Sequence, residues 1–104
     1  MRRMLWSLLA VLPVVAFAQD ENRFRCTQGD LVRRVEIARE TDAAVPCAVR
    51  YYKDTEAPGE GPQVLFNARN EVGYCEARAR EFVARLETLG WTCASVAQAS
   101  AAED

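Results

Sequence analysis

Beyond residue 18, apolar and polar positions alternate in short runs before giving way to one long helical stripe. Phe24-Arg25-Cys26-Thr27 alternates, Gly29-Asp30 interrupts, and Leu31 to Ile37 (LVRRVEI) resumes with β-branched residues. Two such runs joined by Gly-Asp predict a two-residue hairpin. If Gln28 faces Leu31, then Cys26 faces Arg33 and Phe24 faces Val35. After the small and polar connection TDAAV, Pro46 opens a third run, Cys47 to Lys53 (CAVRYYK), at a place a strand tolerates proline. A hairpin centred on Ala43 sets Ile37 against Val49, Val35 against Tyr51 and, on the opposite face, Glu36 against Arg50. Apolar residues then meet apolar ones and opposite charges meet, which is the favourable cross-strand pattern.

Residues 54–63 (DTEAPGEGPQ) contain two prolines and two glycines and predict a surface loop. They lack the GK[ST] ending and the GxGxxG spacing of a phosphate cradle. A fourth short strand starts at Val64-Leu65-Phe66 and runs to about Ala68. Cys75, Ala79, Phe82, Val83, Leu86 and Leu89 then recur at spacings of three and four, which predicts one amphipathic helix over 72–89. Asn70 is the expected N-cap and Gly90 the expected C′ residue. Glu76 with Arg80 and Glu81 with Arg85 stand at i,i+4 on the polar face. Trp91-Thr92-Cys93 predicts a short final strand. The expected fold is therefore α+β: an antiparallel sheet of about four strands, one helix packed on one face, and a short last strand. The expected core is Phe24, Val35, Ile37, Val49, Tyr51, Leu65, Phe82, Val83, Leu86 and Leu89.

The first 18 residues have a different character. Met1-Arg2-Arg3 is basic, residues 4–15 (MLWSLLAVLPVV) are apolar, and Ala16-Phe17-Ala18 supplies small residues at the −3 and −1 positions of a peptidase site. That is the secretory pattern, and the run is shorter than the roughly 20 apolar residues of a spanning helix. The expected organisation is a signal peptide over 1–18, one domain over 19–94 and a disordered tail over 95–104. Asn22-Arg23-Phe24-Arg25 before the first cysteine is unlike a lipoprotein cleavage context. After cleavage the chain holds 11 basic and 15 acidic side chains, no histidine, and a net charge of −4. Such a chain lacks the basic face that nucleic acid requires, and it lacks the usual proton shuttle of neutral pH.

Cys26, Cys47, Cys75 and Cys93 are an even set in a short exported chain, which predicts disulfides. Their separations of 21, 28 and 18 residues include none of the close pairs typical of structural zinc or of a C-x-x-C redox site. In the strand order above, Cys47 and Cys75 lie at the lower end of the sheet and Cys26 and Cys93 near the upper end. The nested pairing Cys47–Cys75 and Cys26–Cys93 follows. A Cys75–Cys93 bridge fits poorly, because a helix climbing about 21 Å is answered by only about 14 Å of returning chain. The third pairing crosses the sheet from top to bottom.

The stretches VPCAVRYYKDTEAPG, VLFNARNEVGYCEARAREFVARL and GWTC, between Val45 and Cys93, resemble a family of small secreted proteobacterial proteins with four cysteines. That resemblance implies the domain and an extracytoplasmic home, and it brings no activity, substrate or partner.

Candidate chemistry is sparse. Glu36, Glu71 and Glu76 are the acids available for acid–base work, yet Glu36 and Glu76 have arginines at pairing distance in the sequence pattern, whereas catalytic pairs need environments that separate their pKa values. Ser95 and Ser100 fall in the expected tail with no base to activate them. No cofactor is expected. The remaining candidate is a binding surface on the outward sheet face, made of Arg34, Glu36, Arg50 and Tyr52 with Lys53 and the 54–63 loop beside it, since Arg and Tyr dominate interface centres. The expected function is a soluble exported, non-catalytic binding protein, periplasmic or secreted, with a periplasmic or envelope partner and no membrane contact after cleavage. An enzyme inhibitor, an envelope-acting carboxylate enzyme and an assembly role through sheet edges are the alternatives.

Overall fold

A computed structural model describes residues 19–97; the expected signal peptide and positions 98–104 lie outside it. The elements in order are β1 (Gln19–Gln28), β2 (Leu31–Arg39), β3 (Cys47–Tyr52), β4 (Gln63–Ala68), α1 (Tyr74–Thr88) and β5 (Thr92–Ala97). One antiparallel sheet has the order β4-β3-β2-β1-β5, with α1 across one face. The fold is the expected α+β arrangement, with five strands in the sheet.

Alternation and turn chemistry set the registers. Gly29 adopts φ 60° in the β1–β2 turn, and Phe24 faces Val35, Cys26 faces Arg33 and Gln28 faces Leu31. Across β2 and β3, Val35 faces Tyr51, Glu36 faces Arg50 and Ile37 faces Val49. The Val45–Pro46 peptide just before β3 is cis. Strand β4 forms one edge of the sheet. Its pairing shifts between Val49↔Phe66 and Arg50↔Val64, which leaves Leu65 as an extra residue in a bulge.

Both disulfides have the nested pairing, Cys26–Cys93 and Cys47–Cys75. Cys26 and Cys93 are direct cross-strand neighbours on β1 and β5. Cys47, at the start of β3, reaches the first turn of α1. The core comprises Phe24, Val35, Ile37, Val49, Tyr51, Ala79, Val83, Leu86 and Trp91 with three of the four half-cystines. Phe82 sits at its border, edge-on to Tyr51 with ring centroids 4.7 Å apart, and Leu65 packs against it partly buried.

Several expectations change. Leu89 is 64% exposed and Trp91 only 6%, so Trp91 takes the core place expected of Leu89. The helix ends at Thr88. Gly90 at φ 98° turns the chain, the Gly90 N–H donates to the Glu87 carbonyl, and the Trp91 N–H donates to the Leu86 carbonyl, each at 3.1 Å. This is a Schellman motif, whose C″ residue folds back over the last turn. Leu89, the C-cap, leaves the stripe because its backbone is no longer helical.

At the other end Gly73, not Asn70, is the N-cap, with φ 88° and no side-chain cap. Glycine alone enters that left-handed conformation freely, and Cys75 in the first turn is tied to β3. Strand β5 continues to Ala97 and pairs Val96 and Ala97 with Asp20 and Gln19. The first three residues of the expected tail are therefore strand, and β1 starts five residues before Phe24. Among the described residues no helix is long and apolar enough to cross a membrane.

Candidate functional site

Because α1 covers one face only, the two faces of the sheet carry different chemistry. The period-two alternation of β2 sends Arg33, Val35 and Ile37 toward the helix and Arg34, Glu36 and Ala38 away from it. The same alternation on β3 sends Arg50 and Tyr52 outward, and on β1 Arg23 and Arg25.

The centre of the outer face is Arg34. It donates to Asp54 from Nε at 2.6 Å and from Nη2 at 3.1 Å, and to Glu36 from Nη1 at 2.6 Å. Its guanidinium lies 4.0 Å from the Tyr52 ring centroid, across the sheet from its own strand. The Asp54 hydrogen bonds raise the Arg34 pKa further above its ordinary value, with burial opposing them. Four side chains thus form one locked group. Glu36 faces Arg50 in register as expected, but its carboxylate goes to Arg34, two residues away on the same strand.

Arg25 and Arg50 flank this group. Both are exposed, and neither has a hydrogen bond, ion pair or ring contact among the described residues. Arg25 also stands directly opposite Arg34 in the register, a like-charge pairing that disfavours the sheet. Below Glu36 and Arg50 the outer side chains become small: Ala38 faces Ala48, and Ala48 faces Asn67. That row floors an open cleft of about 340 Å³ walled by Arg50, Arg69 and Glu40. A second hollow, shared at Ala38, continues past Glu36 toward Arg23 and Asp42.

Of the residues expected on this surface, Arg34, Glu36, Arg50 and Tyr52 come together. Lys53 does not. It alternates back toward the helix side, with Nζ 5.9 Å from the Tyr51 ring centroid. Asp54 takes its place. Period two was the available signal: Asp54 follows Tyr52 by two residues, which puts it on the same face just above the Arg34–Tyr52 pair.

The helix side holds a second cluster not expected from the sequence. Arg33 donates to Glu56 through Nε at 2.9 Å and Nη2 at 2.5 Å, and to the Tyr51 hydroxyl through Nη1 at 2.7 Å. Its guanidinium lies 4.2 Å from the Trp91 ring centroid. The hydrogen bonds from Arg33 hold the Glu56 carboxyl below the usual range, while burial pushes the Tyr51 hydroxyl up, against the nearby positive charge of Arg33. Thr55 accepts from the Val32 N–H at 3.0 Å. These contacts fasten the 54–63 loop to the upper end of the sheet, so the cluster is structural. At the lower end, Arg39 bridges Asn22 and Glu76.

Two of the three acids considered for catalysis are drawn into arginine pairs, Glu36 by Arg34 and Glu76 by Arg39, and Glu71 is exposed ahead of α1. Glu81 pairs with Arg78 at i,i+3 and not with Arg85. Ser95 lies on β5, and Ser100 lies outside the described residues. Among the described residues no group of three or more His, Cys, Asp or Glu side chains is placed to hold a metal ion.

No protein-family model matches the chain, and neither a curated protein nor a solved structure is similar to it. The resemblance to small secreted proteobacterial proteins stays a reading of the sequence.

Proposed function

We propose that the protein is an exported, non-catalytic binding protein of the periplasm that engages an envelope partner through the sheet face opposite its helix. The observation that carries this reading is the Arg34–Tyr52–Asp54–Glu36 group flanked by Arg25 and Arg50, which have no partner among the described residues. Arg and Tyr are the side chains that most often carry binding energy, and those already held in place lose less freedom on association. The like-charge opposition of Arg25 and Arg34 also fits the reading, since an acidic partner relieves it. Two disulfides suit an oxidising compartment, and the basic, apolar, A-x-A start of the chain suits export. The β4 edge of the sheet is a poorer candidate, because the bulge at Leu65 interrupts it.

The test is affinity capture from an envelope extract with the oxidised protein, its Tyr52→Ala variant and a helix-face control, Arg85→Ala. One stoichiometric partner held by the native protein and the control but lost by Tyr52→Ala is the expected result. Turnover of an envelope substrate, or equal capture by all three, overturns the reading.

A further inference from the structure

The alanine-floored cleft at the lower end of the outer face is more specific than the face around it. Ala38 and Ala48 meet across β2 and β3, and Asn67 extends their row onto β4. Arg50 stands at the upper end of this row, and Arg69 follows Ala68 just below its lower end; both are exposed cations with no carboxylate partner among the described residues. Glu40, which follows Arg39 at the lower end of β2, is the single acid among the described residues that line the cleft. Arg39 also borders it, but its guanidinium is already engaged by Asn22 and Glu76 on the helix side.

We propose that this cleft receives a Glu or Asp side chain from a protein partner lying across the uncovered sheet face; this rests on the reading above and adds the chemistry of the partner. The floor is small enough for an incoming side chain to descend between the walls. The guanidinium groups of Arg50 and Arg69, at the two ends of the floor, each carry the forked N–H donors that suit a carboxylate. Glu40, at the lower end with Arg69, repels that carboxylate and biases it toward Arg50. A sugar acid would share the carboxylate, but no aromatic side chain among the described residues lines this cleft to take a sugar ring, and Tyr52 is already stacked by Arg34. The openness of the site and the Arg/Tyr surface beside it suit a protein.

The experiment is an NMR titration of the isotope-labelled, oxidised protein with three probes: a capped hexaglutamate peptide, its hexaglutamine counterpart and a tetragalacturonate. Hexaglutamate is expected to move the amide signals of Ala38, Ala48 and Asn67, and hexaglutamine to leave them in place. The Arg50→Gln/Arg69→Gln double variant should bind hexaglutamate about tenfold or more weakly, as loss of charge-assisted bonds implies, with disulfides and melting transition unchanged. Glu40→Gln should tighten binding. Absent shifts, shifts confined to other surfaces, or equal binding by the double variant overturn the proposal. Tighter binding of tetragalacturonate at the same amides replaces the protein partner with a glycan. If the partner captured above is lost by Tyr52→Ala but kept by the double variant, the face reading stands and the cleft proposal alone falls.

Discussion

Arg34 and Tyr52 face each other across β2 and β3, and the guanidinium lies 4.0 Å from the ring centroid while Asp54 and Glu36 hold its edges. A stacked arginine with both edges fastened has little rotamer freedom left. The pair therefore presents a fixed surface on the sheet face opposite α1, which no helix of the described residues covers.

Tyr52→Ala should cost little stability and much binding. The ring is half-buried, and loss of an exposed cation–π contact is worth about 0.5–1 kcal/mol. Denaturant unfolding of the variant should stay within about that range, while partner capture disappears. A collapse of the fold would make Tyr52 a core residue and remove it from the surface argument.

The crosslinks should decide whether the chain folds at all. A domain of this size draws only about 3–5 kcal/mol from one core. With the bridged cysteines 67 and 28 positions apart in sequence, chain entropy assigns about 4 and 3.5 kcal/mol to the two bridges, in nested loops whose values overlap. Reduction should abolish the cooperative thermal transition at 37 °C, and Cys47→Ala/Cys75→Ala alone should lower stability by about 2–4 kcal/mol. A reduced protein that melts as sharply as the oxidised one contradicts this.

The helix C-terminus yields a paired test. A Cβ at Gly90 would lie 2.6 Å from Gln28 Nε2, and that amide donates to the Leu89 carbonyl at 3.2 Å. Gly90→Ala should destabilise by about 1 kcal/mol through its left-handed backbone, plus the displacement of Gln28. In a Gln28→Ala background the second contribution is absent, so the double-mutant cycle should be non-additive. Leu89→Lys nearby should be neutral within about 0.5 kcal/mol, whereas Leu86→Ala, at a side chain 3% exposed, should cost about 2–4 kcal/mol.

Acid should weaken the loop clamp. Hydrogen bonds from Arg33 lower the Glu56 pKa in the folded protein. A carboxyl lowered on folding contributes stability that is present above its unfolded pKa of about 4.3 and lost as pH falls through the folded value. The melting temperature of the native protein should therefore exceed that of Glu56→Gln at pH 7, and the gap should close on acidification below about pH 4. Tyr51 titrates in the opposite sense. Its raised pKa favours the folded state below about pH 10 and loses that contribution as the folded value is passed.

Most of the fold was legible because several signals agreed. The β1–β2–β3 register follows from a Gly-Asp turn, alternating apolar residues and the Glu36–Arg50 match, and a one-residue slip would invert all of them together. Once strand directions were set, the cysteine pairing followed. Leu89 and Trp91 were misread because the helical stripe has the same period before and after the chain stops being helical; the Schellman bonds that exchange the two are backbone events. The length of β5 was hidden in ASVA, whose small side chains alternate too weakly to show a strand. On the candidate site, Arg34, Glu36, Arg50 and Tyr52 share one face through period two alone, and Asp54 obeys the same rule from within what read as loop. Arg69 in the cleft wall was not legible, since β4 reaches the sheet edge only through tertiary pairing and carries a bulge.

The claim that partners approach the uncovered sheet face is tested most directly by site-specific photocrosslinking in cells. A photoreactive phenylalanine analogue replaces Tyr52 on the outer face in one strain and Ala84, exposed on the helix, in another. A discrete crosslinked species from position 52 and none from position 84 is the predicted result. A species formed only from position 84 would place binding on the helix side and contradict the account.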